Sequence, residues 1–287
     1  MNCPICGQTM SASLYRRRGF SIVRCSYCKF YAADLDEWVY PYSANDYYTD
    51  QIDADAIQPH RPYIQHRVRQ IMRFEQRVHY NSPRKLDRAI KCMVAGHRMG
   101  RPLHKRRKVV DLGCGLGETA IALSNAGYQT YGVEESTNAI RFLQNTYPGV
   151  SWHRMPIELF LEQEHEFDVI TLFHVLEHIP KPHLLCKSIA QSLRPEGLLV
   201  VEVPDVSGGQ ARLYSWQWQH WLPHHVNYFS RNSLCRLFEP FGLNLLHVEF
   251  KYHLGFPQGI LWRDLIHGAL ARFGMHDTIS TYWQKPL

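Results

Sequence analysis

The 287-residue sequence has no apolar run approaching the ~20 residues needed to cross a bilayer as a helix. Its first residues, Met1-Asn2-Cys3-Pro4, carry neither the charged nor the apolar region of a secretory signal. These two absences predict a soluble, cytosolic protein. Internal repeats and low-complexity tracts are also missing, which argues against a repeat architecture. Eight cysteines are present, yet they do not form a disulfide framework: only Cys3, Cys6, Cys25 and Cys28 make a pattern. Cys92, Cys114, Cys186 and Cys235 are scattered through apparent secondary structure and read as small buried residues. Acidic residues are scarce in one stretch. Between 61 and 108, fifteen Lys and Arg face only Glu75 and Asp87, a local +13 against −7 for the rest of the chain. That excess suits an anionic partner such as RNA, a nucleotide sugar or an acidic protein face, or else it is a solvated helix surface.

What is there begins with an apolar content of 45%, enough at this length to bury a substantial core. The four patterned cysteines form two CxxC knuckles, Cys3-Pro4-Ile5-Cys6 and Cys25-Ser26-Tyr27-Cys28. Such turns let two sulfurs each converge on one tetrahedral zinc ion, and residues 1–36 are expected to be a zinc ribbon whose folding the metal supports. A redox CxxC pair would need a thioredoxin-like βαβ context that is absent here. Residues 37–105 start with aromatics (Trp38, Tyr40, Tyr42, Tyr47, Tyr48) and turn helical and basic. Ile64, Val68, Ile71 and Phe74 recur at helical spacing and leave Arg67, Arg69, Arg73 and Arg77 mostly for outward positions, as in a helical cap.

From 106 to 287, strands and helices alternate as a doubly wound α/β sheet requires. The pattern predicts strands over 108–112, 129–133, 150–153, 167–173, 198–203 and 243–252. It predicts helices over 118–126, 137–147, 158–164, 182–193 and 232–241, and a further apolar-faced helix over 258–273. The first strand runs into Asp111-Leu112-Gly113-Cys114-Gly115-Leu116-Gly117, where glycines let backbone approach a ligand and the following helix aims its first amides at it. One βα unit later, Tyr131-Gly132-Val133-Glu134 ends in a carboxylate placed to grip a ribose. Downstream, Phe173-His174-Val175-Leu176-Glu177-His178 packs ionisable groups at a strand's carboxyl end, Leu193-Arg194-Pro195-Glu196-Gly197 turns into a buried strand, and Pro223-His224-His225-Val226-Asn227-Tyr228-Phe229-Ser230 follows.

Residues 108 to about 250 resemble the class I S-adenosylmethionine-dependent methyltransferases, in the type 11/23-like branch with these ordered elements, some members of which carry an N-terminal four-cysteine ribbon. The resemblance implies a Rossmann-like seven-stranded sheet and S-adenosylmethionine as cofactor. It places Asp111, Gly113, Gly115 and Gly117 at the methionine moiety, Glu134 on the ribose, Met155 beside the adenine, and Phe173 and His174 beneath the sulfonium. Glu196 stands where a glycine is commoner, and Met155-Pro156 where an acid is.

Methyl transfer needs alignment and, for a hydroxyl or carbon acid, a base. His225 and His178 are the proposed catalytic residues, with His174, Glu177 and His224 in reserve. His174, Glu177 and His178 could also gather a divalent ion, but imidazoles are poor magnesium ligands and no second metal is assigned. Tyr214, Trp216, Trp218, His220 and Trp221 either wall an acceptor pocket or fold under the cap. The leading expectation is a small-molecule methyltransferase, its acceptor a nucleotide-linked sugar or another biosynthetic intermediate. The alternatives are an RNA methyltransferase using the ribbon and basic segment, and a non-catalytic scaffold that binds the cofactor.

Overall fold

The computed structural model describes residues 1–10, 15–17, 20–34, 52, 57–58, 61–80, 107–251 and 274–287. The aromatic cluster at 38–48, most of the basic run beyond residue 80, Cys92 and the helix expected over 258–273 lie outside the described residues. In chain order, β1 (Tyr15–Arg17), β2 (Phe20–Arg24) and β3 (Tyr31–Ala33) precede α1 (Pro62–Tyr80). Then come β4 (Lys108–Leu112), α2 (Glu118–Asn125), β5 (Gln129–Glu134), α3 (Thr137–Thr146), β6 (Ser151–Arg154), α4 (Ile157–Gln163) and β7 (Phe167–Phe173). A 3₁₀ turn (Leu176–His178) leads to α5 (Pro182–Ser192), β8 (Leu193–Pro204), α6 (Gly209–Tyr214), β9 (Asn227–Tyr228), α7 (Arg231–Phe238), β10 (Asn244–Lys251) and β11 (Thr278–Gln284).

The strands form a seven-stranded sheet, β10-β11-β8-β7-β4-β5-β6, and a four-stranded sheet, β1-β2-β3-β9. Within the first, β7, β4, β5 and β6 are parallel, with Asp111 of β4 opposite Gly132 on one side and Thr171 on the other. This is the α/β sheet expected from the alternation of the sequence. Strands β4 and β7 are buried on both faces, and their Val, Ile and Leu residues are 0% exposed.

The described residues fall into two compact units: one drawn from 43–172, 188–200 and 282–287, the other from 1–42, 173–187 and 201–281. In the first unit, Ile64, Val68, Ile71 and Phe74 of α1 are buried, as their spacing predicts. Arg67 departs from its expected outward position: it is buried, stacked over the Tyr63 ring, with Nη1 3.5 Å from Thr119 Oγ1. Glu75 on the same helix is also buried, accepts from Tyr128 Oη at 2.6 Å and pairs with Arg107 at 2.6 Å. The sole acid of α1 thus supplies a buried anchor, because a desolvated carboxylate keeps its charge only where donors replace water.

Two strand features were not anticipated. β8 begins at Leu193, through the segment expected to turn, because Glu196 N–H donates to Lys285 O and Lys285 N–H to Gly197 O. Glu196, where a glycine is commoner, takes φ +65°, a left-handed conformation that costs a side-chain-bearing residue roughly 1–2 kcal/mol. β11 reads as polar, Thr-Ile-Ser-Thr-Tyr-Trp-Gln, yet its first six residues are buried and Ser280 Oγ donates to Glu202 at 2.6 Å.

The second unit has a smaller core in which Ile22 packs with Ala211, Trp218, Trp221 and Tyr228. The cysteine-bearing hairpin is therefore not a sheet by itself: β3 pairs antiparallel with β9, Tyr31 opposite Tyr228 and Ala32 opposite Asn227. Helix α7 starts with a capping box in which Ser230 and Ser233 satisfy each other's backbone amides. Among the described residues, no helix is long and apolar enough to cross a membrane.

Candidate active site

The glycine loop is held by its own backbone. Gly113, Gly115 and Gly117 take φ of +67°, +55° and +73°, conformations that side chains strain. Gly117 has a second reason: an added Cβ would lie 2.5 Å from the Trp152 ring, and one on Gly132 2.4 Å from the same ring. Those two glycines thus accommodate an indole of the core. Several loop amides are likewise committed internally: Cys114 N–H donates to Val133 O at 2.9 Å, and Gly117 N–H to Cys114 O at 2.9 Å.

Glu134, at the end of β5, is the centre of this loop. Its Oε2 accepts from the Gly115 amide at 3.0 Å, and its Oε1 from the amides of Glu135 at 2.9 Å and Ser136 at 3.1 Å. Three fixed amide donors orient the carboxylate, and of its roughly four lone-pair positions one stays open. Asp111 is buried and accepts from Thr171 Oγ1 at 2.6 Å. Burial pushes its carboxyl up to about 6, against the pull of Thr171 and the positive Arg67. A carboxylate this destabilised in its charged form favours a cationic ligand. Met155, half-buried, follows β6.

The acid and histidine cluster belongs to the other unit. His174 follows β7 with φ +58°, its amide donating to Glu202 O at 2.9 Å. Both ring nitrogens meet carboxylates: Nδ1 lies 3.3 Å from Glu177 and Nε2 3.3 Å from Glu202. Burial opposes its charge, but hydrogen bonds to the two acids outweigh that and lift it to about 9. His174 is thus an imidazolium at neutral pH with no lone pair to offer as a base. Glu202 is further paired with Lys251 and Ser280. An acid inside the buried run Val200-Val201-Glu202-Val203 was the available signal for this pair, since a charge there needs partners.

Glu177 is buried. Desolvation alone would raise it, yet the hydrogen bond and charge of His174 take it down to about 2. Its Oε2 has no hydrogen-bond partner. His178 Nδ1 lies 2.8 Å from His224 O, and His225 Nδ1 3.0 Å from His220 O. A carbonyl only accepts, so each Nδ1 carries the hydrogen, and in its neutral form each ring has its acceptor lone pair on Nε2. One ligand-type atom from each of Glu177, His178 and His225 lies within 4.8 Å of the others. His178 and His225 meet edge to face at 4.9 Å, and His224 stacks on His178 at 5.3 Å. Burial, with the neighbouring imidazoles adding to it, lowers His225 to about 3. Glu177, a reserve candidate from the sequence, supplies the acid of the group through its orphaned oxygen.

Trp218 and Trp221 are buried in the small core, and Trp221 Nε1 donates to Ser215 O at 2.7 Å. Trp216 is 58% exposed and Tyr214 48%. The loop therefore divides into two packed indoles and two aromatic faces open to solvent. In the same unit, Cys3 and Cys28 sulfurs are 3.5 Å apart, as are those of Cys6 and Cys25, and all four lie within 4.8 Å. Sulfurs around a tetrahedral zinc ion stand ~3.8 Å apart. Burial raises Cys3 to about 11 and pushes Cys28 upward. Burial acts the same way on Cys25, but amide hydrogen bonds from Cys28 and Tyr27 and the nearby sulfurs take it to about 7.

A family model described as a methyltransferase domain matches residues 66–248. The chain belongs to this methyltransferase-domain family. Curated relatives include a ubiquinone biosynthesis O-methyltransferase of Glaesserella parasuis, 29% identical over 104 residues, 33% of this chain and 44% of that one. Another of the same name from Albidiferax ferrireducens is 30% identical over 112 residues, 37% of this chain and 40% of the relative. The chain thus covers under half the length of these relatives. A solved SAM-dependent methyltransferase from Archaeoglobus fulgidus shares the fold, with a TM-score of 0.50 and 17% identity over 72% of this chain and 96% of that one.

Proposed function

We propose that this chain is an S-adenosylmethionine-dependent methyltransferase that methylates a hydroxyl of a small molecule. The observation that carries the reading is the pair of carboxylates framing the glycine loop: Glu134, oriented by three amides, and Asp111, whose charged form burial disfavours. Asp111 would hold the ammonium of the cofactor's methionine, and Glu134 a ribose hydroxyl at its open position. Met155, Phe173 and His174 keep the flanking roles that the family pattern implies. The bound cofactor supplies an electrophilic methyl group on sulfur.

On the acceptor side, the unpartnered Glu177 oxygen and the two imidazole acceptors form a group with no donor of its own. A protic acceptor meets that need, and the O-methyltransferase names of the curated relatives agree with an oxygen acceptor. We assign proton acceptance to His178. His225, held neutral, orients the hydroxyl, and the negative Glu177 stabilises the imidazolium formed when His178 takes the proton. Arg61, just before α1, pairs with Glu118, and Arg67 of α1 reaches Thr119, so neither is turned outward to track phosphates. Cys3, Cys6, Cys25 and Cys28 would hold a structural zinc ion: burial disfavours the thiolates of Cys3 and Cys28 unless a cation stands beside them, and the sulfur spacing is close to that of tetrahedral sites.

The test is calorimetry of zinc-loaded protein with S-adenosylmethionine and S-adenosylhomocysteine, followed by radiolabelled methyl transfer to small-molecule and RNA fractions of a cell extract. Binding of both nucleosides and label in the small-molecule fraction are expected. Absence of heat with either nucleoside overturns the reading.

A further inference from the structure

The cysteine cluster and the histidine cluster lie in one unit and are joined by a short, continuous run of backbone hydrogen bonds. Cys25 and Cys28 close the turn between β2 and β3: Lys29 N–H donates to Cys25 O at 3.1 Å, and Cys25 N–H to Phe30 O at 2.8 Å. Three residues after Cys28, β3 begins its pairing with β9, and Ala33 N–H donates to Val226 O at 3.0 Å. Val226 is held from its other side as well, since its N–H donates to Glu177 O at 2.9 Å. Asn227 Nδ2 donates to Ile179 O at 2.6 Å. The peptide groups flanking Val226 are thus gripped by the cysteine hairpin and by the turn carrying Glu177 and His178. The residue before Val226 is His225.

We propose that the four-cysteine site is a positioning device for the acceptor cluster: the metal fixes the β2–β3 turn, β3 fixes Val226, and Val226 sets His225 against Glu177 and His178. The cysteines touch none of the three and act through this backbone path. Strands of two and three residues are too short to persist unaided, so the pairing depends on what anchors its ends. The proposal rests on reading Glu177, His178 and His225 as the acceptor side of a methyltransferase. The rival anchor is apolar, the contact of Ile22 with Trp218, Trp221 and Tyr228, which would hold β3 without metal.

The deciding experiment compares zinc-loaded full-length protein, chelator-stripped protein and the stripped protein resupplied with zinc, using imidazole ¹⁵N resonances assigned by His178→Gln and His225→Gln. Loaded protein is expected to show Nδ1-protonated tautomers at both positions, as their carbonyl partners require. Stripping should convert both to averaged tautomers and cut methyl transfer at least ~100-fold, the scale of a lost general base. Affinity for S-adenosylhomocysteine should change less than ~2-fold, and zinc should restore tautomers and rate together. Ala33→Pro removes the amide that binds Val226 and spares every thiol. It should keep its zinc and its nucleoside affinity while losing the fixed His225 tautomer.

Unchanged tautomers in stripped protein overturn the proposal in favour of the apolar anchor. So does loss of nucleoside affinity in step with the tautomers, which would make zinc a global stabiliser. If loaded protein binds the nucleoside but transfers no methyl group, the functional reading fails separately, and the tautomers still decide whether the metal positions the histidines.

Discussion

The glycine loop and the histidine cluster are built in opposite ways. The loop, from Asp111 to Glu134, is one continuous βαβ stretch whose contacts are local: strand pairing, left-handed glycines and a carboxylate taking three nearby amides. The cluster gathers its parts from residues 174–178, from Glu202 and from 220–225, and its backbone is bonded at Val226 by the hairpin that carries Cys25 and Cys28. The first can be read from consecutive residues because backbone strain and β-pairing leave a mark in them. The second exists only where distant segments meet, and its chemistry follows from who donates to whom.

Mutations in the two regions should therefore separate binding from turnover. The largest effect is expected from His178→Ala, with kcat down ~10²- to 10⁴-fold and S-adenosylhomocysteine affinity held within ~2-fold. A matched fall in nucleoside affinity would erase the division of labour. Gly117→Ala strikes the loop through packing and strain together, since the methyl meets Trp152 at φ +73°. About 3 kcal/mol of lost stability is expected in denaturant unfolding, and a neutral result would show that the indole yields.

Glu134→Ala should weaken nucleoside binding ~30-fold by calorimetry, with kcat at saturation largely kept; this is the counterpart of the His178 change. The pH dependence of binding follows from Asp111, whose carboxyl titrates at about 6. Ionised, it attracts the nucleoside's ammonium; protonated, it does not. Affinity should fall ~10-fold from pH 7.5 to pH 5, and Asp111→Asn should flatten that profile. The smallest effect on stability is expected from Trp216→Ala, less than ~0.5 kcal/mol because the indole is 58% exposed. A raised KM for the acceptor in that variant would place the exposed face of the loop at the substrate.

Much of the fold was legible. β4 and β7 are bounded as their apolar runs predict, and α2, α3 and α5 end within a residue of their expected limits. What escaped did so for identifiable reasons. β11 is rich in hydroxyls and lacks an apolar run, and the hydroxyls of Ser280 and Thr281 are buried with Glu202 and Val201 O as their acceptors. Helix α6 starts at a glycine pair that reads as loop, where backbone of Gly274 and His276 approaches too closely for a side chain. Arg67 lies on the buried side of α1 because Tyr63 and Thr119 receive its guanidinium.

By itself the sequence determined the order of strands and helices from β4 to β8, the glycine turn, the carboxylate that closes it and the pairing of cysteines into two knuckles. Each of these is set by periodicity, steric allowance or ligand spacing within a few residues. Tertiary structure alone decided that His174 is charged, that His178 and His225 present Nε2, and that one oxygen of Glu177 is left without a donor. Charge and tautomer depend on desolvation and on partners within hydrogen-bond reach, and folding brings those partners from positions that no local pattern connects.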